Sequence, residues 1–319
     1  MVKIIKILFV LSIVLSLGIF IVRTDLHLVR LSLLAIKWRF VWLILITFLA
    51  YFLGTIAWKL CLGKEGRSVS LFHLYWIRLI SETVSMFNPS SIIGGELLKV
   101  ELVKPYITQE NTIINSVIIS RLLTISSQLL MCTLAFILLA GQHHQSILNI
   151  SAPSPMKTII FLGVALAILV GLYRFGKSIA FFNRLVKRVQ IIVSQIRKHC
   201  YREKWMLCLA FLVFCLHWFV GSLEFYLILR FLNADIQLID GLMMDMGVIV
   251  FKSLGAFVPG QLGIEEYGNK LMLIAFGFKG MALWLSVSIL RRARQLVWIV
   301  LSILYYTIPY KKLIRLQAL

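Results

Sequence analysis

Windows of roughly 20 apolar residues, the length a helix needs to cross a bilayer core about 30 Å thick, recur near 4–22, 41–60, 112–140, 157–174, 205–230 and 281–308. Hydrocarbon offers no water to backbone N–H and C=O groups, so runs of this kind must close their hydrogen bonds internally, as helices. Of all residues 60% are hydrophobic and only 14% are charged, and the mean hydropathy is +0.93, which excludes an ordinary soluble domain. The expected fold class is an all-α integral membrane protein, with residues 1–319 forming one polytopic membrane domain. The longest polar stretch is about 30 residues, short of the ~50 that a separate soluble domain requires.

The first apolar run follows Lys3 and Lys6 and could be taken for a secretory signal. The sequence "IVRTDLHLV" after it supplies no small-residue cleavage site, so a retained first helix is expected. The five cysteines form no C-x-x-C pair and read as packing thiols. The His143–His144 pair has no second ligand pair at metal spacing, so neither a metal nor another cofactor is expected.

A net charge of +20 would suggest nucleic acid in a soluble chain, but its distribution points to a membrane. Residues 174–204 hold nine Lys or Arg against one acid, Glu203, whereas residues 141–156 hold no Lys or Arg. The positive-inside rule places the first stretch in the cytoplasm and the second outside, giving a protein of the cytoplasmic membrane with both termini inside. The basic loop 23–39 goes against this assignment. Within the linker 175–204, Ile179, Phe182, Val186, Val189, Val193 and Ile196 recur at spacings of three and four. That pattern predicts a basic amphipathic helix, lying on anionic headgroups or capping the bundle from below.

Two more regions, 70–104 and 239–278, are apolar but interrupted, and they resemble each other. The first contains "NPSSIIGGELLK" and the second "VPGQLGIEEYG". Each has a proline (Pro89; Pro259), then glycine (Gly94 and Gly95; Gly260 and Gly263), then a carboxylate seven residues after the proline (Glu96; Glu266). An arginine follows 32 residues after each proline, Arg121 and Arg291. Order and spacing together predict an internal repeat of 41–140 and 205–308. Proline and glycine end helices, and freed backbone inside a membrane is tolerated only against protein or a water-filled cavity. Each region is therefore expected to be a re-entrant hairpin. Together they give about six full spans plus two broken hairpins, in an inverted repeat of the type that builds a central binding site.

Ionisable groups inside apolar spans are expensive and mark functional or pairing positions. Arg121, Arg291 and Arg292 fall about ten residues into their helices, near mid-membrane at ~1.5 Å rise per residue. Glu224 is central in "VGSLEFYLIL", with His217 two turns earlier, while Asp245 and Lys252 punctuate the second hairpin. Arg78 and Glu82 are four apart and read as a structural pair. An arginine facing a cavity suits a phosphate through charge-assisted, often bidentate hydrogen bonds. The candidate headgroup-binding set is Arg121, Arg291, Arg292, Glu96, Glu266 and Glu224.

"NPSSIIGGELLK", "VPGQLGIEEYG" and "SILRRARQLVW" resemble the paired signatures of the lysylphosphatidylglycerol synthase transmembrane, or flippase-like, family, over essentially the whole chain. The resemblance implies a protein that moves or handles lipids. Carried over by position, Pro89, Gly94, Gly95 and Glu96 match the first motif, Pro259, Gly263 and Glu266 the second, and Arg121 and Arg292 the helix arginines. Glu265 and Lys99 depart from the family pattern, which commonly has a basic or neutral residue at the first place and arginine at the second. The family's namesake adds a cytosolic aminoacyl-transferase domain. Residues 1–319 contain no stretch for one, nor a G-x-x-x-x-G-K-[ST] loop for ATP, so the expectation is a non-enzymatic lipid translocase.

Its partners would be membrane lipids, anionic or phosphate-bearing, and no nucleic acid; the sequence leaves the oligomeric state open. The alternative is an accessory subunit that docks a lipid or glycolipid synthase through the basic linker. An enzyme acting on a lipid phosphate is a third reading, against which the carboxylates and histidines form no catalytic constellation.

Overall fold

The computed structural model describes residues 31, 34, 36–87, 91–107, 109–141, 203–255, 258–278 and 280–307. The expected spans 4–22 and 157–174, Pro89 and nearly all of the basic linker 175–204 lie outside the described residues. Every regular element within them is helical. In chain order these are α1 (Phe40–Cys61), α2 (Leu71–Phe87), α3 (Ser91–Val103), α4 (Glu110–Gly141), α5 (Lys204–Phe231), α6 (Leu238–Leu254), α7 (Ile264–Ala275) and α8 (Met281–Tyr305).

Three stretches, Lys37–Cys61, Glu110–Leu138 and Lys204–Phe231, are long and apolar enough to cross a membrane. Their outer faces carry Leu45, Leu129, Phe136, Leu209 and Leu212 exposed, the arrangement expected where the surrounding medium is hydrocarbon rather than water. α8 is also long, 25 residues, but Arg291, Arg292 and Arg294 interrupt its apolar run.

The described elements fall into two sets with the same order: a long helix, a helical hairpin, and a second long helix. In each set the hairpin helices pack on each other and on the neighbouring long helices. α2 and α3 are 17 and 13 residues long, about 25 and 20 Å at 1.5 Å per residue. Their open ends meet where Ser68 Oγ donates to the Tyr106 carbonyl at 3.5 Å and the His73 and Tyr106 rings lie 5.5 Å apart. α6 and α7 run antiparallel, with Gly255 against Ile264, Phe251 against Gly268 and Gly247 against Met272. Small residues on both helices are what lets the backbones approach.

Among the described elements, the leading helices α1 and α5 form the most extensive contact, and they run in opposite directions. Arg39 at the start of α1 lies over the Phe231 ring at the end of α5, 5.8 Å from its centroid. Midway, His217 Nδ1 is 2.7 Å from the Ala50 carbonyl, and beyond the far end of α1 Gly63 faces Glu203. Each closing helix then crosses to the other set. α4 meets α6 through Gln128 and Ser253 at 3.3 Å, while α8 meets α2 through Thr83 and Ser302 at 3.0 Å and the stacked rings of Trp76 and Tyr305.

Among the described residues the two largest apolar clusters each draw on both sets: one gathers Trp58, Leu74, Ile77, Val103 and Ile113 with Phe214 of α5, and the other gathers Phe225, Met244, Val248, Leu273 and Leu290 with Leu43 of α1.

Candidate functional site

Charged side chains enter this apolar interior in two places, with different results. In the second set they close on one another. Arg291 of α8 is buried and pairs with Asp245 of α6 at 2.8 Å and with Glu265 of α7 at 3.1 Å, its guanidinium 5.3 Å from the centroid of the Phe225 ring. Lys252 reaches Glu265 at 3.4 Å, and Gln295 Nε2 donates to the same carboxylate at 3.0 Å. One turn along α8, Arg294 Nε donates to Glu224 of α5 at 2.5 Å, both side chains being almost wholly buried. Removing water raises the cost of each charge, and only an opposite charge held in good geometry offsets it.

Glu266 has two partners. Its carboxylate accepts from the Gly263 N–H at 2.7 Å, which satisfies a free donor at the start of α7, and it accepts from Arg292 of α8. Gly263 can take this position because its φ of 82° lies in the left-handed region. Gly260, at φ 66°, makes the tight turn Pro259–Gln261 just before it.

In the first set the charges surround a small open pocket lined by Gly54, Trp58, Arg78, Glu82, Glu96, Lys99, Ser120, Arg121, Thr124 and Phe214. Five helices contribute: α1, α2, α3, α4 and, through Phe214, α5. Arg78 Nε donates to Glu82 at 2.6 Å. Lys99 holds Glu96 at 3.1 Å and lies 5.7 Å from the centroid of the Trp58 ring. Arg121 is farther from Glu96, at 4.0 Å, and remains partly exposed to the pocket. Among the described residues, Arg78 Nη1, Arg121 Nε and Glu96 Oε2 are buried here without a hydrogen-bond partner, as are Arg291 Nε and Nη1, Asp245 Oδ1 and Glu265 Oε1 in the second cluster, where the ion pairs lack hydrogen-bond geometry. Such atoms are rare in folded proteins because an unmade hydrogen bond to a charged donor is costly.

The sequence-derived candidates thus divide. Glu96 and Arg121 come together at the pocket; Arg291, Glu224, Arg292 and Glu266 sit among the pairs of the second set. Gly94 and Gly95 lie within α3, past its start, and Gly95 is where α3 presses against Ser81 and Ser85 of α2. Sequence reasoning missed Arg294, which lies three residues after Arg291 on the same helix face. It also read Arg78 only as a structural partner of Glu82, and gave no attention to Gly54. A residue that matters by having no side chain leaves no chemical signature.

Among the described residues no group of His, Cys, Asp or Glu is arranged to hold a metal ion. A family model described as the lysylphosphatidylglycerol synthase TM region matches residues 4–303. No curated protein and no solved structure gives a match.

Proposed function

The chain belongs to the lysylphosphatidylglycerol synthase transmembrane-region family, and on that premise we propose that it is a lipid translocase in which a phospholipid or glycolipid headgroup passes through the polar pocket between the two sets of helices. Membership ties the chain to the membrane and to lipid metabolism or transport; movement of the lipid is our reading. The observation that carries it is the pocket itself: charged, partly open, and walled by helices of both sets inside an otherwise apolar bundle. A bilayer-embedded protein keeps ionisable groups beside a cavity at a cost of roughly 2.5 to 3.5 kcal/mol each when unpaired near the membrane centre. Such positions persist where they meet a polar cargo.

In this reading α2–α3 and α6–α7 are re-entrant hairpins entering from opposite faces, and the acyl chains remain in lipid while the headgroup crosses. Arg121 is the primary contact for the lipid phosphate, because it lines the pocket with its carboxylate partner at the edge of ion-pair range. Residues 1–319 contain no G-x-x-x-x-G-K-[ST] loop for ATP; in this reading transport is passive, coupled to an ion gradient or driven by a partner.

The test is reconstitution into liposomes carrying a labelled phospholipid, with the label on the outer leaflet quenched chemically. The protein should carry label across faster than empty liposomes do, and Arg121→Ala should slow this by about tenfold or more, the loss of one charge-assisted contact. A rate equal to that of empty liposomes for the folded protein sinks the reading.

A further inference from the structure

Where α8 crosses onto α2 and where α4 crosses onto α6, the two seams are closed by different chemistry. Between α8 and α2 the closure is aromatic. The Trp76 and Tyr305 rings stack with centroids 4.5 Å apart, Tyr75 meets Trp298 at 6.5 Å, and the Trp298 indole donates to Thr47 of α1 at 3.1 Å. Stiff rings tied to a third helix hold that seam shut. Between α4 and α6 the buried contact is Met131, Cys132 and Ala135 against Met243, Met246 and Ile249. Methionine has three rotatable bonds and repacks readily, so this seam can part and close again.

A polar pair bridges each seam, and the two pairs differ in setting. Thr83 and Ser302, 3.0 Å apart, lie inside protein, with Ser302 buried. Gln128 Nε2 donates to the Ser253 hydroxyl at 3.3 Å on the outer surface. Ser253 is exposed, and exposed Ile125, Leu129 and Val250 flank the pair. An amide on a hydrocarbon-facing rim needs such a partner, yet a single interhelical hydrogen bond in a membrane is weak. It biases the seam shut without welding it.

The position of this bond matters most. Thr124 is the midpoint of the apolar stretch Glu110–Leu138 and lines the pocket together with Arg121. Gln128 stands one turn beyond Thr124 on the same face of α4. The Gln128–Ser253 bond therefore separates the pocket from the surrounding hydrocarbon at mid-depth in the membrane.

We propose that the α4–α6 seam is the lateral doorway by which a phospholipid brings its polar end into the pocket, with the Gln128–Ser253 hydrogen bond as the latch. The acyl chains rest against the apolar rim of Ile125, Leu129 and Val250, and the α2–α8 seam stays closed throughout. The proposal rests on the translocase reading for the purpose of that entry; which seam parts is a separate matter and is tested separately.

The full chain carrying Thr124→Cys is reconstituted into liposomes and treated with two maleimides, one borne on the headgroup of a phospholipid in the same bilayer and one water-soluble. Fragment masses locate the adduct at position 124, apart from native cysteines such as Cys132. The lipid-borne reagent should label position 124. Adding Gln128→Leu removes the latch and should raise that rate by about threefold or more, the loss of one interhelical hydrogen bond, with the water-soluble rate unchanged. Ser253→Ala removes the same bond from the other side and serves if Gln128→Leu fails to fold. Thr83→Val, which removes the counterpart bond across α2 and α8, should change neither rate.

No adduct from the lipid-borne reagent overturns the doorway, as does a rate indifferent to loss of the latch. Equal acceleration of both reagents, or the same acceleration by Thr83→Val, overturns it too. Movement of a labelled phospholipid by the wild-type chain is followed in parallel. Latch-dependent labelling in a protein that moves no lipid sinks the translocase reading and leaves the doorway standing, while movement without latch-dependent labelling does the reverse.

Discussion

Arg291 shows how a single residue can be legible in sequence while its role is not. An arginine in the middle of an apolar run announces itself, and spacing from Pro259 matched it to Arg121. Sequence could not say that Asp245 and Glu265, 46 and 26 positions earlier, would both turn to meet it, because partner choice is fixed by how α6, α7 and α8 pack. The consequence is testable as stability. Arg291→Ala would leave two buried carboxylates facing each other, and breaking a buried pair from one side costs about 3 to 5 kcal/mol. The variant should unfold at lower temperature in detergent or fail to accumulate. Adding Asp245→Asn to Arg291→Ala should recover part of the loss, since it removes the charge that Arg291 had paired, while Glu265 keeps Lys252. If Arg291→Ala unfolds like the wild type, the second cluster does not hold the fold together.

At the scale of the element, the two hairpins were visible as interruptions, because proline and glycine carry a backbone signal that survives any packing context. Their extent was less visible. The doublet Gly94–Gly95 reads as part of the break, yet α3 already begins at Ser91. Gly95 acts by absence of a side chain: a Cβ there would meet the Ser85 hydroxyl and, less forgivingly, the Ser81 backbone carbonyl. A hydroxyl can rotate away, but a carbonyl in the middle of α2 cannot. Gly95→Val should therefore force α3 away from α2 and destabilise the chain by about 1 to 3 kcal/mol, the usual range for overpacking. Gly280, which has nothing near its Cβ position, is the matched control, and Gly280→Ala should unfold as the wild type does. The comparison needs only a melting curve of each variant in the same detergent; equal melting of Gly95→Val and wild type would mean that the α2–α3 contact is looser than described.

For the molecule as a whole, apolar windows near 41–60, 112–140, 205–230 and 281–308 anticipated α1, α4, α5 and α8 closely, because a bilayer imposes one length and one backbone solution on whatever crosses it. The relation between the halves was anticipated only through loop charge, which places termini but not contacts. The antiparallel contact of α1 with α5, from Arg39 and Phe231 at one end to Gly63 and Glu203 at the other, is independent of loop charge. It sets α1 and α5, which stand first in their two sets, in opposite directions, as the expected inverted repeat would require. With both helices crossing the bilayer, the segment after α1 and the segment after α5 are expected to emerge on opposite faces of the membrane. Lys64, three residues past α1, and Asp235, four past α5, are suited to report this because both precede the hairpins. Lys64→Cys and Asp235→Cys should react with a membrane-impermeant maleimide from opposite sides in intact and permeabilised cells, after subtraction of labelling at the native cysteines. Positive-inside logic further expects Lys64 to be the cytoplasmic one. Labelling of both positions from the same side would contradict the inverted arrangement, and with it the idea that a headgroup passes between two hairpins entering from opposite faces.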